Sequence, residues 1–369
     1  MAPAKNENRE PWIRLIEKQA LIENRYSKIK RLTENAGEGN FSLMFTALDS
    51  FTGRKVALKF FNPTQSGSAY RVDCFEREVR ILQIFKEQPN ILQIINGKGN
   101  IVLDIGQQLT FPLQFFAAEL AQGSLEDYIC SSKTSATQNL LFFREACKAV
   151  QRIHAKQVCH RDLKPGNFLV FLQKDPRNKL RLSDFGTARS FDKKIEPLLQ
   201  SYERPVGDYA YTSPELLCGL HSEEQCAFCN DLYSLGAILF EMFTKINLNL
   251  ILFNDIMEIR RLVELFRITR ERDRKEIFHN FIKGIARSKP LPDIFAFNGG
   301  VPNCIKNRLN ALYKFLANLD YRRRLGNFTT VFRQLNICLI ILHEEEKYRK
   351  WKELKKKFKK QGQYKVGVK

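Results

Sequence analysis

Residues His160–Asn167 read His-Arg-Asp-Leu-Lys-Pro-Gly-Asn and place a carboxylate, a lysine and an amide on one short loop. Asp162 is positioned to orient a hydroxyl, and Lys164 to offset negative charge on a group in transit. Asn167 opens an apolar run, FLVFL. A second run, LRLS, ends at Asp184, and the polar stretch QKDPRNK separates the two. That pattern predicts a hairpin, which would bring Asn167 at the entrance of one strand beside Asp184 at the exit of the other. A carboxylate and an amide oxygen on one spot are hard ligands of the kind that hold Mg²⁺ jointly with phosphates.

Further upstream, Gly37 and Gly39 in AGEGNFSLMF lie between two strand-like runs, and VALK ends at Lys59. Glycines let the backbone approach a phosphate and present N–H groups to it, and a lysine on the next strand can reach the same anion. Turn glycines between strands are also ordinary. Glu78, inside the helical FEREVRIL, is the natural anion to fix Lys59. The alternative is a solvated surface glutamate.

These side chains need a frame. β-Branched and aromatic residues in FSLMFTALD, KVALKFF and NIVLDI predict strands between Tyr26 and Glu119, interrupted by one helix in CFEREVRILQIFKEQ. After Gly123 helical periodicity dominates, as in LLFFREACKAVQRIHAK and DLYSLGAILFEMF. The class is α+β: a small, mostly antiparallel-sheet lobe with one helix (26–119), a hinge (119–123) and a large, mainly helical lobe (124–342). Ahead of them, residues 1–25 predict a helical extension opened by Pro11, with Ile13, Leu15, Ile16 and Leu21 as its apolar face.

Composition narrows the classes. A chain of 369 residues with 44% hydrophobic content can bury a proper core. No run of about 18 apolar residues occurs, and MAPAKNENRE lacks an apolar leader segment. The expectation is a soluble, intracellular, cytoplasmic protein. Nine cysteines, an odd number widely spread, argue against a disulfide framework and for a reducing compartment. Sixty basic against forty acidic residues, a net +20, favour anionic partners such as nucleotides, nucleic acid, acidic lipid or acidic protein.

Over residues 26 to 342 the chain resembles the eukaryotic-type serine/threonine protein kinases. The resemblance rests on the Gly-rich stretch at 37–42, Lys59, Glu78, the H-R-D-x-K-x-x-N loop, Asp-Phe-Gly at 184–186, Ser-Pro-Glu at 213–215 and DLYSLG from Asp231. It implies a bilobal protein-kinase-like fold, ATP and Mg²⁺, protein substrates phosphorylated on serine or threonine, and autophosphorylation. By the same resemblance Gly37, Gly39 and Ser42 would cover the phosphates. Lys59 would hold the α- and β-phosphates, and Glu78 would position Lys59. Ala57, Glu119, Ala121 and Leu169 would line the nucleotide site. Asp162 would be the base, Lys164 would meet the γ-phosphate, and Asn167 and Asp184 would bind the metal. Lys164 points to the serine/threonine type. Glu215 and Arg324 resemble a buried ion pair tying the activation segment to the large lobe, and Phe185, His160 and Leu82 a packed column between the lobes. Arg161 resembles the cation that meets a phosphorylated activation loop, here 187–212. Of Thr187, Ser190, Ser201 and Tyr202 the expected phosphosite is Ser201, the alternative being a loop ordered without phosphate.

Several positions depart from the pattern. Ser42 stands for a third glycine. Asp208 stands where a threonine usually bonds the base, and two carboxylates about 5 Å apart repel by roughly 3 kcal/mol at an effective dielectric near 20 unless Lys164 lies between them. Ala118 resembles the residue that closes the pocket behind adenine and leaves that pocket open. Cys218, His221, Cys226 and Cys229 give C-x2-H-x4-C-x2-C, a candidate Zn²⁺ set, against reduced cysteines in a loop and a helix start.

From His343 to Lys369 eleven Lys/Arg face four Glu, and Tyr348, Trp351, Leu354 and Phe358 recur at helical spacing. Such a basic amphipathic tail can bind an acidic membrane surface or nucleic acid, or pack its stripe on the large lobe. Three readings follow. An active kinase comes first, a nucleotide-binding, pseudokinase-like scaffold is motivated by Asp208, and a nucleic-acid or membrane binder rests on charge.

Overall fold

The computed structural model describes residues 9–32, 42–131, 134–171, 180–192, 207–220, 223–253, 256–297, 300–324 and 326–364. Six antiparallel strands, β1 (Leu21–Ile22), β2 (Tyr26–Arg31), β3 (Ser42–Asp49), β4 (Arg54–Phe61), β5 (Ile94–Gly106) and β6 (Leu109–Glu119), form one sheet in the order β1-β2-β3-β4-β6-β5. Period-two alternation along β4 sends Leu58 and Phe60 to one face and Ala57, Lys59 and Phe61 to the other. Leu58 and Phe60 join Phe45, Leu113 and Phe115 in a core capped by Ile13 and Ile16 of helix α1 (Glu10–Glu17). Pro11 lies in the first turn of α1. The helix is shorter than the predicted extension. Leu21 belongs to β1 and is 48% exposed, because the chain turns back to pair with β2. The leading segment is therefore part of the small lobe's packing, with Trp12 against Phe111 at 4.9 Å between ring centroids.

On the other face lies α2 (Ala69–Ile84), whose Phe75, Val79 and Leu82 recur at three- and four-residue spacing and enter a second core. That core continues without a break into the large lobe, joining Phe116 and Ala118 of the sheet to Phe168, Leu182 and Phe185.

The large lobe begins with β7 (Gly123–Ser124), α3 (Leu125–Cys130) and α4 (Ala136–Ala155). Serines start both helices. Ser124 and Asp127 form a reciprocal capping box, and Ser135 Oγ accepts from the Gln138 N–H at 3.1 Å. Short strands β8 (Val158–Cys159), β9 (Phe168–Val170), β10 (Leu180–Leu182) and β11 (Arg189–Ser190) follow, then helices α5 (Pro214–Leu217), α6 (Glu224–Thr244), α7 (Leu248–Leu252), α8 (Ile256–Ile268), α9 (Glu271–Ser288), α10 (Lys306–Leu316) and α11 (Phe328–Tyr364). Helix α6 is the one described helix long and apolar enough to cross a membrane, and here it is the buried axis of the lobe. A Cβ at its Gly236 would stand 2.6 Å from the Ala317 backbone nitrogen, so glycine sets how closely α6 meets the end of α10. Helix α11 runs unbroken past residue 343, so the basic tail continues the last helix of the lobe.

Candidate active site

The predicted hairpin forms. Strand β9 pairs antiparallel with β10, Phe168 facing Leu182. The turn between them, 172–179, lies outside the described residues. Just beyond the pair, the Asn167 carbonyl accepts from Ser183 N–H at 2.9 Å and Ser183 Oγ at 3.0 Å, which fixes Asn167 beside the residue that precedes Asp184. The Asn167 amide nitrogen donates to the Asp162 carbonyl at 2.7 Å, leaving the amide oxygen as the end free to meet a cation.

Lys59 reaches the same place from the sheet. Its ammonium donates to Glu78 at 2.6 Å and to Asp184 at 3.3 Å, joining β4, α2 and the end of β10. The solvated-surface alternative for Glu78 is ruled out, since its side chain is 4% exposed. Burial works against the charge on Lys59, but Asp184 and Glu78 outweigh it and hold its pKa above the ordinary lysine value. Burial raises Glu78 above the usual carboxylate range, with Lys59 pulling the other way. At Asp184 burial is overcome by Lys59 and Lys164, and the group is held below its ordinary value. Its carboxylate remains 47% exposed to the cleft.

The catalytic-loop candidates are positioned from beneath. Asp231, fully buried on α6, accepts from the His160 and Arg161 backbone N–H groups, both at 2.8 Å. Arg161 has φ +66°, a left-handed conformation that costs a long side chain of order 1–3 kcal/mol and needs such support, whereas Asp184, at φ +61°, is of a residue type that adopts this region readily. Gly207 has φ +93°, and a Cβ there would lie 2.4 Å from the Arg161 carbonyl oxygen, so the close approach of activation segment to catalytic loop requires glycine. Beyond it, Ser213 N–H donates to Asn230 of α6 at 2.9 Å, and the Asn249 amide of α7 bonds the Tyr209 and Thr212 carbonyls at 2.7 and 2.8 Å.

Asp208 does not face Asp162 unshielded. Lys164 Nζ lies 3.5 Å from Asp162 Oδ2 and 3.7 Å from Asp208 Oδ2, while the Asp208 backbone N–H donates to Asp162 Oδ1 at 2.7 Å. Burial disfavours the charge on Lys164, but Asp162, Asp208 and Asp184 outweigh it and raise its pKa. Burial raises Asp162 above the ordinary aspartate value, opposed first by Lys164.

Ser42, Lys59, Cys74, Phe75, Glu78, Asp162 and Asp184 line the inner end of the cleft. At the hinge end Ala57 faces Ala118 across β4 and β6, and the Gln122 N–H bonds the Val170 carbonyl at 3.0 Å, holding the hinge on β9 next to Leu169. Ala121 packs at the edge of the same core. The Glu119 carboxylate is bound to Arg181 and the Gln93 N–H and is not offered to the cleft. Gly37 and Gly39 lie outside the described residues, as does Ser201.

Arg161 donates through Nε and Nη2 to the Thr187 carbonyl at 2.9 and 2.7 Å. Phe185 packs between His160 at 5.0 Å and Phe85 at 6.3 Å, and Leu82 is fully buried in the same core. Arg324 and Glu215 form a bidentate pair with both side chains at 0% exposure. The interactions of Arg181, Gly207 and Arg77, whose guanidinium bonds the Gly186 carbonyl from α2, were missed in the sequence. Gly207 alone carried a signal, as a turn glycine.

The zinc set is not supported. Among the described residues no group of three or more His, Cys, Asp or Glu could hold a metal, and His221 lies outside them. Cys218 and Cys226 are fully buried within the apolar core of the large lobe, where burial raises both thiols.

The family model described as protein kinase domain matches residues 31–336. Among curated proteins, the SNF-related serine/threonine-protein kinase of Rattus norvegicus is 32% identical over 212 residues, 57% of this chain and 25% of the relative. The cell division control protein 2 homolog C of Antirrhinum majus is 28% identical over 242 residues, 64% of this chain and 73% of that protein. The CBL-interacting protein kinase 11 of Oryza sativa subsp. japonica is 29% identical over 228 residues, 61% and 41% of the respective chains. The match thus spans a quarter of the SNF-related relative's length.

Proposed function

Because the chain belongs to the protein kinase domain family, we propose that it is an ATP-dependent serine/threonine protein kinase acting on protein substrates, itself included. One observation carries the reading: Glu78, Lys59 and Asp184 are linked at 2.6 and 3.3 Å across three elements, with Asp162 and Lys164 3.5 Å apart on the facing loop. The donor set fits a hard divalent cation, because Asp184 offers a half-exposed carboxylate and Asn167 an amide oxygen turned away from its own hydrogen bond. Mg²⁺ held there would neutralise phosphate charge.

In this reading Lys59 binds the α- and β-phosphates, with Glu78 as its anchor. Ser42 meets the phosphates together with Gly37 and Gly39, and Ala57, Ala121, Leu169 and the Glu119 main chain surround the base. Asp162 orients the substrate hydroxyl and accepts its proton as the oxygen–phosphorus bond forms and the bond to the β–γ bridging oxygen breaks, releasing ADP. Its raised pKa moves it toward proton acceptance. Lys164 offsets charge on the phosphoryl group in transit. The scaffold reading loses its motive, since Lys164 stands between Asp162 and Asp208. Free cysteines throughout the described residues fit the cytoplasmic location we assign. An anionic partner for the basic tail is a separate proposal that does not depend on phosphoryl transfer.

The test is transfer of labelled γ-phosphate by the purified full chain with Mg-ATP, beside Asp162→Asn. Transfer that disappears in the variant while nucleotide binding persists supports the assignment. A wild type that binds ATP and transfers nothing overturns it.

A further inference from the structure

Helix α11 has two unlike faces. At 3.6 residues per turn, Val331, Leu335, Cys338 and Leu342 share one face, and all four are buried against the large lobe. Ile340, Tyr348, Trp351 and Leu354 fall roughly on the opposite side, and they are 62%, 53%, 52% and 53% exposed. The same straight helix therefore cannot lay this stripe on its own lobe. After Leu342 every described side chain through Lys357 is exposed except that of Glu346, which is intermediate.

Charge is distributed unevenly around this free segment. Lys347, Lys350, Lys352 and Lys355 lie within or beside the stripe, whereas on the opposite half Glu345, Glu346 and Glu353 offset Arg349, Lys356 and Lys357. Glu344, the acid on the stripe side, is paired with Lys347 at 3.0 Å. The Tyr348 and Trp351 rings stack at 6.0 Å, with Lys352 Nζ 4.4 Å above the first and Lys355 Nζ 4.8 Å above the second. Their alkyl stems extend the apolar strip while the ammonium groups rim it.

We propose that the stripe of α11 is a docking face for an anionic lipid surface, the helix lying in the plane of the headgroups with Ile340, Tyr348, Trp351 and Leu354 inserted. A one-sided strip with basic flanks suits a flat anionic boundary, and the opposite half, where three acids offset three bases, carries no net charge and is left to solvent. Aliphatic Ile340 and Leu354 gain from acyl chains and offer nothing to phosphates or bases, and Trp and Tyr are the side chains that favour the membrane–water interface.

Sedimentation with vesicles of phosphatidylcholine alone and with phosphatidylserine added, using the full chain and no ATP, tests this independently of kinase activity. Binding is expected only to the anionic vesicles. Tyr348→Ser/Trp351→Ser/Leu354→Ser should weaken it at least tenfold with net charge unchanged, and each of Lys352→Glu and Lys355→Glu by about fivefold or more. With Trp12→Phe removing the other tryptophan, Trp351 emission should shift to the blue on anionic vesicles. Absent vesicle binding, binding unchanged by the triple variant, or preference for an RNA oligonucleotide over vesicles would each overturn the proposal. Retained thermal stability of the triple variant, whose side chains are exposed, distinguishes lost docking from misfolding.

Discussion

Replacing Asp208 by threonine, which restores the residue usual in the family, should not activate this protein. Two electrostatic effects oppose one another. Lys164 attracts Asp208 across 3.7 Å with side chains 31% and 40% exposed, so the water-like limit applies and the pair is worth about 1 kcal/mol. Repulsion between Asp208 and Asp162 over about 5 Å is about 0.8 kcal/mol at the same dielectric, and the weaker screening around Asp162, whose side chain is 12% exposed, scales both interactions together. The two nearly cancel, so kcat in Asp208→Thr should stay within about threefold of the wild type. Without the lysine the balance is lost. Lys164→Met should lower kcat at least a hundredfold, and adding Asp208→Thr to it should recover about fivefold, because the second carboxylate then has no counter-ion beside the base. Steady-state transfer of labelled phosphate by the four proteins gives the coupling directly. A tenfold gain in Asp208→Thr alone, or strict additivity across the cycle, would refute the view that Lys164 compensates both acids.

Removing Arg324 leaves Glu215 charged and buried, so Arg324→Ala should cost about 3–5 kcal/mol in urea unfolding; a loss under about 1 kcal/mol contradicts the buried pair. With only methyl groups facing one another at Ala57 and Ala118, bulky N6-substituted ATP analogues should be accepted and Ala118→Phe should exclude them; exclusion by the wild type while ATP binds counts against the pocket. Acid behaviour tests Asp49, which is buried and bonded by Arg25 at 2.8 and 2.9 Å. The Arg25 hydrogen bond chiefly holds its carboxyl well below its ordinary value of 3.8. A depressed folded pKa contributes stability above the unfolded value and loses it as pH falls toward the folded one. Asp49→Asn should therefore be less stable at pH 7 and lose less on acidification from about pH 5 to 2; equal acid slopes in the two proteins would show the pair contributes nothing.

Local chemistry was legible in the sequence because short motifs carry their own geometry. A two-run hairpin with a polar turn can place its ends in few ways, so Asn167 was expected beside Asp184, and β9 pairs with β10 accordingly. Lys59 was likewise expected on the strand after the glycines, and β4 carries it. The signal failed where spacing alone suggested shared ligation: Cys218 and Cys226 match a ligand spacing, yet the lobe buries both as apolar packing. Leu21 fitted a helical face until pairing with β2 claimed it.

Long-range relations were decided only by folding. That Lys164 separates Asp162 from Asp208, that Asp231 holds the catalytic loop from below, and that Glu119 turns to Arg181 all join residues distant in the chain. The tail shows the division most plainly. Composition and spacing determined a basic helix with an aromatic stripe, but whether that stripe packs inward or faces solvent depends on the azimuth at which α11 leaves its lobe. The buried contacts of Val331, Leu335, Cys338 and Leu342 set that angle.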